Sequence, residues 1–329
     1  IARLDGGQFA LRAFDCLDGY SVDDLRRATG GLINDTFLVR NDYVLQRLHP
    51  IFEGPVNDDI SALGKVARRR GVQLPVVFDA KDGRRWSECD GVWRVLSYLP
   101  GRTLHQLENP RQAYSAGQLV GRFHSALADV EHRFSFSRGA FHDTAGRMDE
   151  LAEALQVHGG HRLYGRVAPV GQGILEMWSG VGQPGELPQR ICHGDLKVSN
   201  LRFSENGDDA LSLLDLDTMT HGTLDAELGD AFRSWCNQAL EHDPSPRWDL
   251  ELFVQAWRGY TAEAGEHLTD GERASVVSGT LRIILELSAR FAADALNETY
   301  FGFDPSVAST RGEHNLLRAS SQLALARIV

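Results

Sequence analysis

Several features that mark other classes of protein are missing from this chain of 329 residues. No apolar run approaches the roughly 20 residues that a membrane-spanning helix needs, and the first residues, IARLDGGQFALRAF, lack the continuous apolar core of a secretory signal. The net charge is −11, so the chain has no basic field that would hold a nucleic acid. These absences predict a cytoplasmic protein that binds neither membranes nor nucleic acids.

Cysteine is also scarce. The four cysteines are Cys16, Cys89, Cys192 and Cys236, and no two of them form a C-x-x-C pair. Scattered single cysteines suggest neither a disulfide framework nor a zinc site, and they fit a reducing cytosol. No internal repeat or low-complexity segment is visible. The composition is that of a globular protein, and the length allows two domains or two lobes.

The first hundred residues alternate turn signals with short runs typical of β-strands. The stretch GGLINDTFLVRNDYVLQRL (30–48) predicts two strands joined by a turn at Asn41-Asp42. A helix should follow Asn57, because apolar residues recur there at helical spacing. The runs LPVVFDA, DGRRWSEC and GVWRVLSYL predict three more strands. We therefore expect an N-terminal lobe, residues 1–97, with one helix and an antiparallel sheet of about five strands.

Beyond Gly101 the pattern changes to helices. In AYSAGQLVGRFHSALADV (113–130) apolar residues recur at helical spacing. Further segments that read as helices are 147–157, 225–240, 247–264, 271–297 and 314–328. The prediction is an α+β chain with a mainly helical C-terminal lobe, residues 98–329.

Two polar segments interrupt the helical part of the sequence. In HGDLKVSN (193–200) Asp195 precedes Asn200 by five positions, and in LSLLDLDT (211–218) an apolar run ends in two carboxylates. Phosphoryl transfer from ATP needs a carboxylate that faces the acceptor hydroxyl and oxygen ligands that face Mg²⁺. The spacing H-x-D-x-x-x-x-N is that of the kinase catalytic loop, in which the Asp orients the hydroxyl and the Asn holds a metal.

Five polar residues of these segments have predicted roles in the reaction. Asp195 is the candidate catalytic carboxylate, and Lys197 can reach the transferring phosphoryl group from the same loop. Asn200 and Asp215 are candidate metal ligands. Asp217 lies two residues beyond Asp215, so in an extended segment it would point to the same side and share the metal or hold a metal-bound water.

Two histidines are interpreted as structural. His193 is predicted to be a buried, hydrogen-bonded organiser of its loop rather than a proton-transfer group. His124, in GRFHSAL, lies on a helix face beside apolar residues and is predicted to pack there.

The arrangement resembles the aminoglycoside phosphotransferase and choline kinase superfamily, which has a protein-kinase-like two-lobe fold. In that superfamily H-G-D-x-x-x-x-N, followed by two hydrophobic residues and Asp, marks the catalytic base and the metal ligands. The sequence looks closest to the N-acetylhexosamine 1-kinase group, although its loop reads H-G-D-L-K rather than the H-N-D-x-K of that group. The matching stretches are GGLINDTF (30–37), YVLQRLH (43–49), DLDTMTHGTLDAELGDAFR (215–233) and YFGF…EHNLLRASSQLAL (300–325).

This resemblance implies an ATP cleft between the lobes, with Mg²⁺ as the second cofactor. Gly30 and Gly31 would let backbone N–H groups approach the phosphates, and Asn34 and Thr36 would add side-chain donors.

Further roles follow from the same resemblance. Ser97 and Tyr98 would belong to the hinge whose backbone reads the adenine edge. Asp230 resembles a buried helix aspartate that hydrogen-bonds the catalytic loop. Arg233, one helical turn further, either reaches an acceptor or pairs with Asp230.

A strand lysine paired with a helix glutamate is usual in the superfamily and is absent here. The strand reads V-L-Q-R, which puts Gln46 where the lysine is expected, and the following helix offers Asp58 and Asp59 but no glutamate on its inner face. Losing both partners avoids a stranded buried charge. Either Gln46 contacts phosphate without charge, or Arg47 takes the place of the lysine.

The sequence therefore predicts a small-molecule kinase in which Mg²⁺-ATP donates its γ-phosphoryl group to a sugar hydroxyl. By resemblance the acceptor is the anomeric hydroxyl of an N-acetylhexosamine. Another sugar, an aminoglycoside or a choline-like amino alcohol are the alternatives. The missing lysine suggests a second class, a pseudokinase that binds nucleotide or sugar as a sensor, and the presence of Asp195, Asn200 and Asp215 argues against it. The oligomeric state is left open.

Overall fold

The computed structural model of the chain describes residues 7–28, 34–136, 142–182 and 185–329. A five-stranded antiparallel sheet comes first, and a mainly helical region with two smaller sheets follows it. No helix in these described ranges is both long enough and apolar enough to cross a membrane.

The N-terminal sheet has the strand order β1-β2-β3-β5-β4. Its strands are β1 Leu25–Arg27, β2 Asp35–Val39, β3 Tyr43–Arg47, β4 Ser87–Glu88 and β5 Val92–Ser97. Helix α1 (Gly7–Ala13) precedes the sheet, and α2 (Val56–Arg69) lies between β3 and β4 in the chain. The predicted hairpin, its turn near Asn41 and the helix around Asn57 are confirmed, whereas β1 and α1 carry no strong sequence pattern and were not predicted.

One face of this sheet packs in an apolar core. Phe37, Leu45 and Val95 are paired across β2, β3 and β5, and together with Ala10 and Phe14 they belong to one buried apolar cluster. Because side chains alternate along a strand, the residues on either side of each of these point to the opposite face. That opposite face forms a wall of the cleft described below.

The expected strand LPVVFDA does not form. Its segment touches the sheet through a single bridge between Val77 and Leu96, together with a few hydrogen bonds to Ser97 and Val95. Pairing does not continue beyond Phe78, because the N–H of Ala80 donates to the carbonyl of Arg84 at 2.7 Å instead of to β5.

The helical region contains long helices that pack against one another. They are α3 Pro110–Leu127, α4 Thr144–Val157, α5 Tyr164–Gly180, α6 Leu224–Cys236, α7 Leu250–Ala264, α8 Asp270–Asn297 and α9 Arg311–Ala326. Among these α5 was not predicted, because Pro169 and its glycines break the local helical signal. Burial of Val167, Gly171 and Ile174 stabilises α5 through tertiary packing.

The two smaller sheets hold the polar segments of the sequence. Their strands are β6 Arg102–Thr103, β7 Arg190–Cys192, β8 Leu201–Phe203, β9 Ala210–Leu213 and β10 Thr220–Gly222. Segment 193–200 connects β7 to β8, and segment 214–219 connects β9 to β10. The N–H of Leu214 donates to the carbonyl of Asn200 at 2.8 Å, so the two segments lie side by side.

Candidate active site

A cleft of about 390 Å³ separates the N-terminal sheet from the two polar segments. Cross-strand partners place their side chains on the same face of a sheet, so the sheet wall consists of rows. One row is polar and contains Thr36, Gln46 and Arg94. The next row is apolar and contains Leu38, Val44 and Leu96. The opposite wall contains Lys197, Asn200, Leu214, Asp215 and Leu216.

Asp195 is hydrogen-bonded to Lys197 and Asn200, two residues of its loop that line that opposite wall. The Nζ of Lys197 lies 2.6 Å from the Oδ2 of Asp195. The side-chain amide of Asn200 donates to the same oxygen at 2.9 Å and to the backbone carbonyl of Asp195 at 2.8 Å. The amide nitrogen of Asn200 is therefore engaged, while no described residue donates to its carbonyl oxygen, which is left for another partner.

The charge of Lys197 is maintained by its neighbours. Burial lowers the pKa of the Lys197 amine, but the carboxylates of Asp195, Asp215 and Asp230 raise it by more, so the net shift is upward. A protonated lysine thus stands among three carboxylates at this end of the cleft.

Gly194 and His193 shape the loop that carries Asp195. Gly194 has a φ of +82°, and a Cβ atom there would lie 2.5 Å from the carbonyl oxygen of Thr218. His193 is fully buried, and its Nε2 lies 2.8 Å from the carbonyl of Leu214. Its own carbonyl accepts a hydrogen bond from the hydroxyl of Thr218 at 2.8 Å. His193 thus joins the two polar segments, as an organiser of the loop would.

Glu227 on α6 holds the backbone of the same loop. Its carboxylate accepts the N–H groups of His193 at 2.7 Å and Gly194 at 2.9 Å. Burial alone would raise the pKa of Glu227, but the hydrogen bonds and charges, led by the hydrogen bond with His124, lower it overall. His124 therefore does more than pack, since its other ring nitrogen lies 3.0 Å from the hydroxyl of Tyr260.

The loop contact expected of Asp230 is made by Glu227 instead, one turn earlier on α6. Asp230 accepts hydrogen bonds from the guanidinium of Arg233 at 2.8 and 3.2 Å. Of the two alternatives for Arg233, the structure contains the pairing with Asp230. The sequence DAELGDAFR offers both carboxylates, and only the rotation of the helix decides which one faces the loop.

Asp215 and Asp217 point in different directions. Asp215 has left-handed backbone angles, φ 58° and ψ 58°, and a 3-10 turn, Leu216–Thr218, follows it. The segment is therefore not extended, and the expectation that both carboxylates share one side does not hold. Asp215 lines the cleft, whereas the side chain of Asp217 is 1% exposed and bonded to Arg94 and Asn34.

The carboxylate of Asp215 accepts no hydrogen bond within the described ranges. Burial, reinforced by the nearby carboxylates of Asp217 and Asp195, raises the pKa of Asp215 to about 6. A half-buried carboxylate that accepts no hydrogen bond and lies near other carboxylates is a site that a cation would stabilise.

Arg94 provides the buried cation that sequence analysis did not find. Its Nε and Nη2 donate to the Oε1 of Gln46 at 2.9 and 2.7 Å, and Nη2 also donates to Asp217 at 3.0 Å. Gln46 in turn donates to the hydroxyl of Thr36 at 2.9 Å. Gln46 lines the cleft, with its carbonyl oxygen bonded to Arg94 and its amide nitrogen bonded to Thr36. Arg47 pairs with the exposed Asp90 at 3.3 Å and does not replace the missing lysine.

The remaining predicted nucleotide contacts lie around the cleft. Gly30 and Gly31 are outside the described residues. Asn34 and Thr36 line the cleft, and the side chain of Asn34 is engaged with Asp217 at 2.7 Å and with the N–H of His49 at 2.9 Å.

Ser97 and Tyr98 also line the cleft, at its apolar end. Their backbone N–H groups donate to the carbonyls of Val76 at 2.9 Å and Asp42 at 3.2 Å. No described residue accepts the N–H of Leu99, which remains available for a ligand at this end of the cleft.

The residues facing the cleft fit Mg²⁺ held together with a phosphate chain. The carboxylate of Asp215 and the amide oxygen of Asn200 are hard oxygen donors with no other donor bonded to them in the described part of the chain. The described residues contain no cluster of three or more His, Cys, Asp or Glu side chains that could hold a metal alone. Mg²⁺ commonly binds through one or two carboxylates plus substrate phosphates, so such a cluster is not required.

Comparison with known proteins gives the family. The family model described as the phosphotransferase enzyme family, APH, matches residues 24–267. Similar solved structures include a choline/ethanolamine kinase family protein from Mesorhizobium loti, with 18% identity, 97% of this chain and 98% of that chain covered, and a TM-score of 0.58. An aminoglycoside phosphotransferase from Alicyclobacillus acidocaldarius has 15% identity, coverages of 94% and 93%, and a TM-score of 0.61. An amicoumacin kinase has 13% identity, coverages of 96% and 91%, and a TM-score of 0.63.

At such identities the solved structures establish the fold, and they confirm the α+β, protein-kinase-like architecture that the sequence predicted. The family match covers both polar segments and most of the chain. The chain belongs to the phosphotransferase enzyme family.

Proposed function

We propose that this phosphotransferase is an ATP-dependent small-molecule kinase that phosphorylates a sugar hydroxyl. The observation that carries the proposal is the convergence of Asp195, Lys197, Asn200 and Asp215 at one end of a cleft whose other end is apolar. Family membership supports it, and so does the amicoumacin kinase of the same fold, whose structure is a complex with AMP-PNP and Ca²⁺. In this proposal residues 1–97 form the nucleotide-binding lobe and residues 98–329 the catalytic and acceptor-binding lobe.

The nucleotide lies along the sheet wall of the cleft. The adenine packs on the apolar row of Leu38, Val44 and Leu96 and receives the N–H of Leu99. The phosphate chain then points toward Lys197 and the polar end of the cleft. Gly30 and Gly31 remain proposed phosphate contacts through their backbone N–H groups.

Asn200 and Asp215 are the proposed Mg²⁺ ligands. When bound, the ion supplies positive charge that offsets the charge of the phosphate oxygens. The hydrogen bonds from Asn200 to Asp195 fix the amide so that its oxygen is the atom presented to the ion.

Asp195 is the proposed catalytic residue. Its Oδ2 is occupied by Lys197 and Asn200, so its other oxygen is the one left to accept the proton of the acceptor hydroxyl. The hydroxyl oxygen forms a bond to the γ-phosphorus, the bond from that phosphorus to the bridging oxygen breaks, and ADP leaves with the electron pair. Lys197 stands beside the group in transfer and favours its negative charge.

The anomeric hydroxyl of an N-acetylhexosamine is the proposed acceptor, on the resemblance of four sequence stretches to the N-acetylhexosamine 1-kinase group. Aminoglycosides and choline-like alcohols are the alternatives, because relatives of the same fold carry those names. Arg233, paired with Asp230 on α6, remains a proposed acceptor contact.

The test measures ADP release from Mg²⁺-ATP with N-acetylglucosamine, N-acetylgalactosamine, glucose, choline and kanamycin. Turnover is expected with an N-acetylhexosamine, and phosphorus NMR of the product should show a phosphate on the anomeric carbon. Asp195→Asn should lower kcat by about 10²–10⁴, the usual contribution of such a group. Asp209→Asn makes the same chemical change at an exposed position and should leave kcat unchanged.

Each other outcome has a defined meaning. Turnover with kanamycin or choline alone would keep the kinase and replace the acceptor. Full turnover by the Asp195 variant would remove the role assigned to that carboxylate. Metal-dependent ATP binding without turnover on any acceptor would favour a nucleotide-binding sensor over an enzyme.

A further inference from the structure

One buried ion pair joins the N-terminal sheet to the segment that carries Asp215. Arg94 on β5 and Asp217 are each 1% exposed at the side chain, and they are bonded through two pairs of atoms. Asp217 lies only two residues beyond Asp215, inside the 3-10 turn Leu216–Thr218. The ion pair therefore acts on the backbone that presents Asp215 to the cleft.

All the donors of Arg94 are used inside the protein. A guanidinium has five N–H groups. Two donate to Gln46, two to Asp217, and the fifth reaches the Oδ1 of Asn57 at 3.3 Å. No N–H group of Arg94 is left for a phosphate, so Arg94 does not repeat the contact of a strand lysine.

Both oxygens of the Asp217 carboxylate are likewise engaged in hydrogen bonds within the protein. Both face Arg94, and one also accepts the side-chain N–H of Asn34 at 2.7 Å. Asn34 is tied in turn to the N–H of His49 at 2.9 Å. The network thus holds the segment after Asp215 against β2, β3, β5 and α2.

The segment before Asp215 is held independently. The carbonyl of Leu214 lies 2.8 Å from the Nε2 of His193, and the N–H of Leu214 donates to the carbonyl of Asn200 at 2.8 Å. Asp215 lies between these contacts and those of Asp217, in left-handed backbone angles that are rare for residues with a side chain. A backbone in such a conformation persists where its surroundings fix it on both sides.

Stability alone does not account for this ion pair. Replacing a buried ion pair by well-packed hydrophobic residues is often neutral or stabilising, and the better-attested use of such pairs is to fix one conformation. We propose that Arg94 is a positioning residue which, through Asp217, holds Asp215 in the orientation that binds the metal–nucleotide complex. The inference rests on the proposed function, because it assumes that Asp215 meets a divalent cation.

The test uses Arg94→Gln, Asp217→Asn and the double variant, with ATP binding measured by titration calorimetry in Mg²⁺ and in EDTA. Each single variant leaves one buried charge unpaired and should unfold at a lower temperature. The double variant has no unpaired charge and should regain most of the thermal stability. In the double variant, Mg²⁺ should raise the affinity for ATP about 10–100-fold less than it does in the unchanged protein. This is the range seen when outer partners of metal ligands are removed. The affinity of the double variant for ATP in EDTA should match that of the unchanged protein.

A conservative variant keeps the test decisive if the double variant folds poorly. Arg94→Lys retains the charge but lacks the planar fork that bonds Gln46, Asn57 and Asp217 together. It should fold and lose about tenfold of the Mg²⁺-dependent gain, at the lower end of the same range.

The outcomes separate this inference from the function on which it rests. An unaltered Mg²⁺-dependent gain in the double variant or in Arg94→Lys would reduce the ion pair to a structural role and overturn the inference. If the variants lose as much affinity for ATP in EDTA as in Mg²⁺, Arg94 contacts the phosphates, and this result also overturns the inference. If the unchanged protein itself shows no Mg²⁺-dependent gain, the proposed function fails, and the inference with it.

Discussion

The charge of Asp215 should make the metal-free protein less stable than a variant with a neutral side chain at this position. Burial and two neighbouring carboxylates raise the pKa of Asp215 from 3.8 to about 6. Between those values the folded protein keeps a proton that the unfolded chain has released, so stability falls as the pH rises through this window. Above the window the full effect is present, and below it the effect vanishes.

The magnitude follows from the size of the shift. One pKa unit corresponds to about 1.4 kcal/mol, so a shift of about two units gives at most about 3 kcal/mol. Asp215→Asn removes the charge with little change of shape, and Asn tolerates left-handed backbone angles as Asp does. The variant should therefore be more stable near neutral pH by up to that amount, which for a chain of this length corresponds to an unfolding temperature up to about 4 °C higher.

The assay is thermal unfolding in EDTA near pH 7.5 and near pH 4.5, with Asp209→Asn as the exposed control. The difference between Asp215→Asn and the unchanged protein should shrink to about a third at the lower pH, which lies inside the window. Added Mg²⁺-ATP should stabilise the unchanged protein more than the variant, because a ligand stabilises the form that binds it. A variant that is less stable at neutral pH, or a difference independent of pH, would refute the reasoning.

Two further predictions concern the loop that carries Asp195. Glu227→Gln weakens the acceptor of two loop N–H groups and should lower the free energy of unfolding by about 2–3 kcal/mol at neutral pH. The pKa of Glu227 is lowered in the folded protein, so its contribution to the free energy of unfolding is present above its ordinary value of 4.5 and is lost as the pH falls below it. Urea unfolding at neutral and acidic pH measures this loss. A destabilisation by Glu227→Gln that does not depend on pH would contradict the prediction. Gly194→Ala should lower kcat by roughly 10²-fold, since its Cβ atom would displace the loop from Thr218. Gly207→Ala is the matched control, because its φ is also +82° but its Cβ atom would come no closer than 3.2 Å to a flexible arginine; equal losses in both variants would remove the argument.

Local patterns in the sequence predicted the local parts of the structure. The β2–β3 hairpin and α2 follow from short-range periodicity and turn chemistry, and both are present. The spacing of HGDLKVSN brought Asp195, Lys197 and Asn200 together because one short loop contains them all. Helix α5 was missed because its stability comes from packing rather than from its own glycine-rich sequence.

Arg94 could not be found from spacing alone. Its bond to Gln46 joins residues 48 positions apart, and its bond to Asp217 joins residues 123 positions apart. Only the register of β3 against β5 brings Gln46 and Arg94 together. A signal was nevertheless present, because an arginine inside the apolar run GVWRVLSYL needs a partner when the strand is buried.

The turn at residues 40–42 lies outside the cleft and yet decides which side chains enter it. It fixes Thr36 opposite Gln46 and Leu38 opposite Val44. A strand that slips by one residue turns every side chain to the other face of the sheet. One added or deleted residue in this turn would therefore exchange the cleft-facing side of a strand for its core-facing side. The length of a remote connection thus determines the lining of the cleft as much as the residue types do.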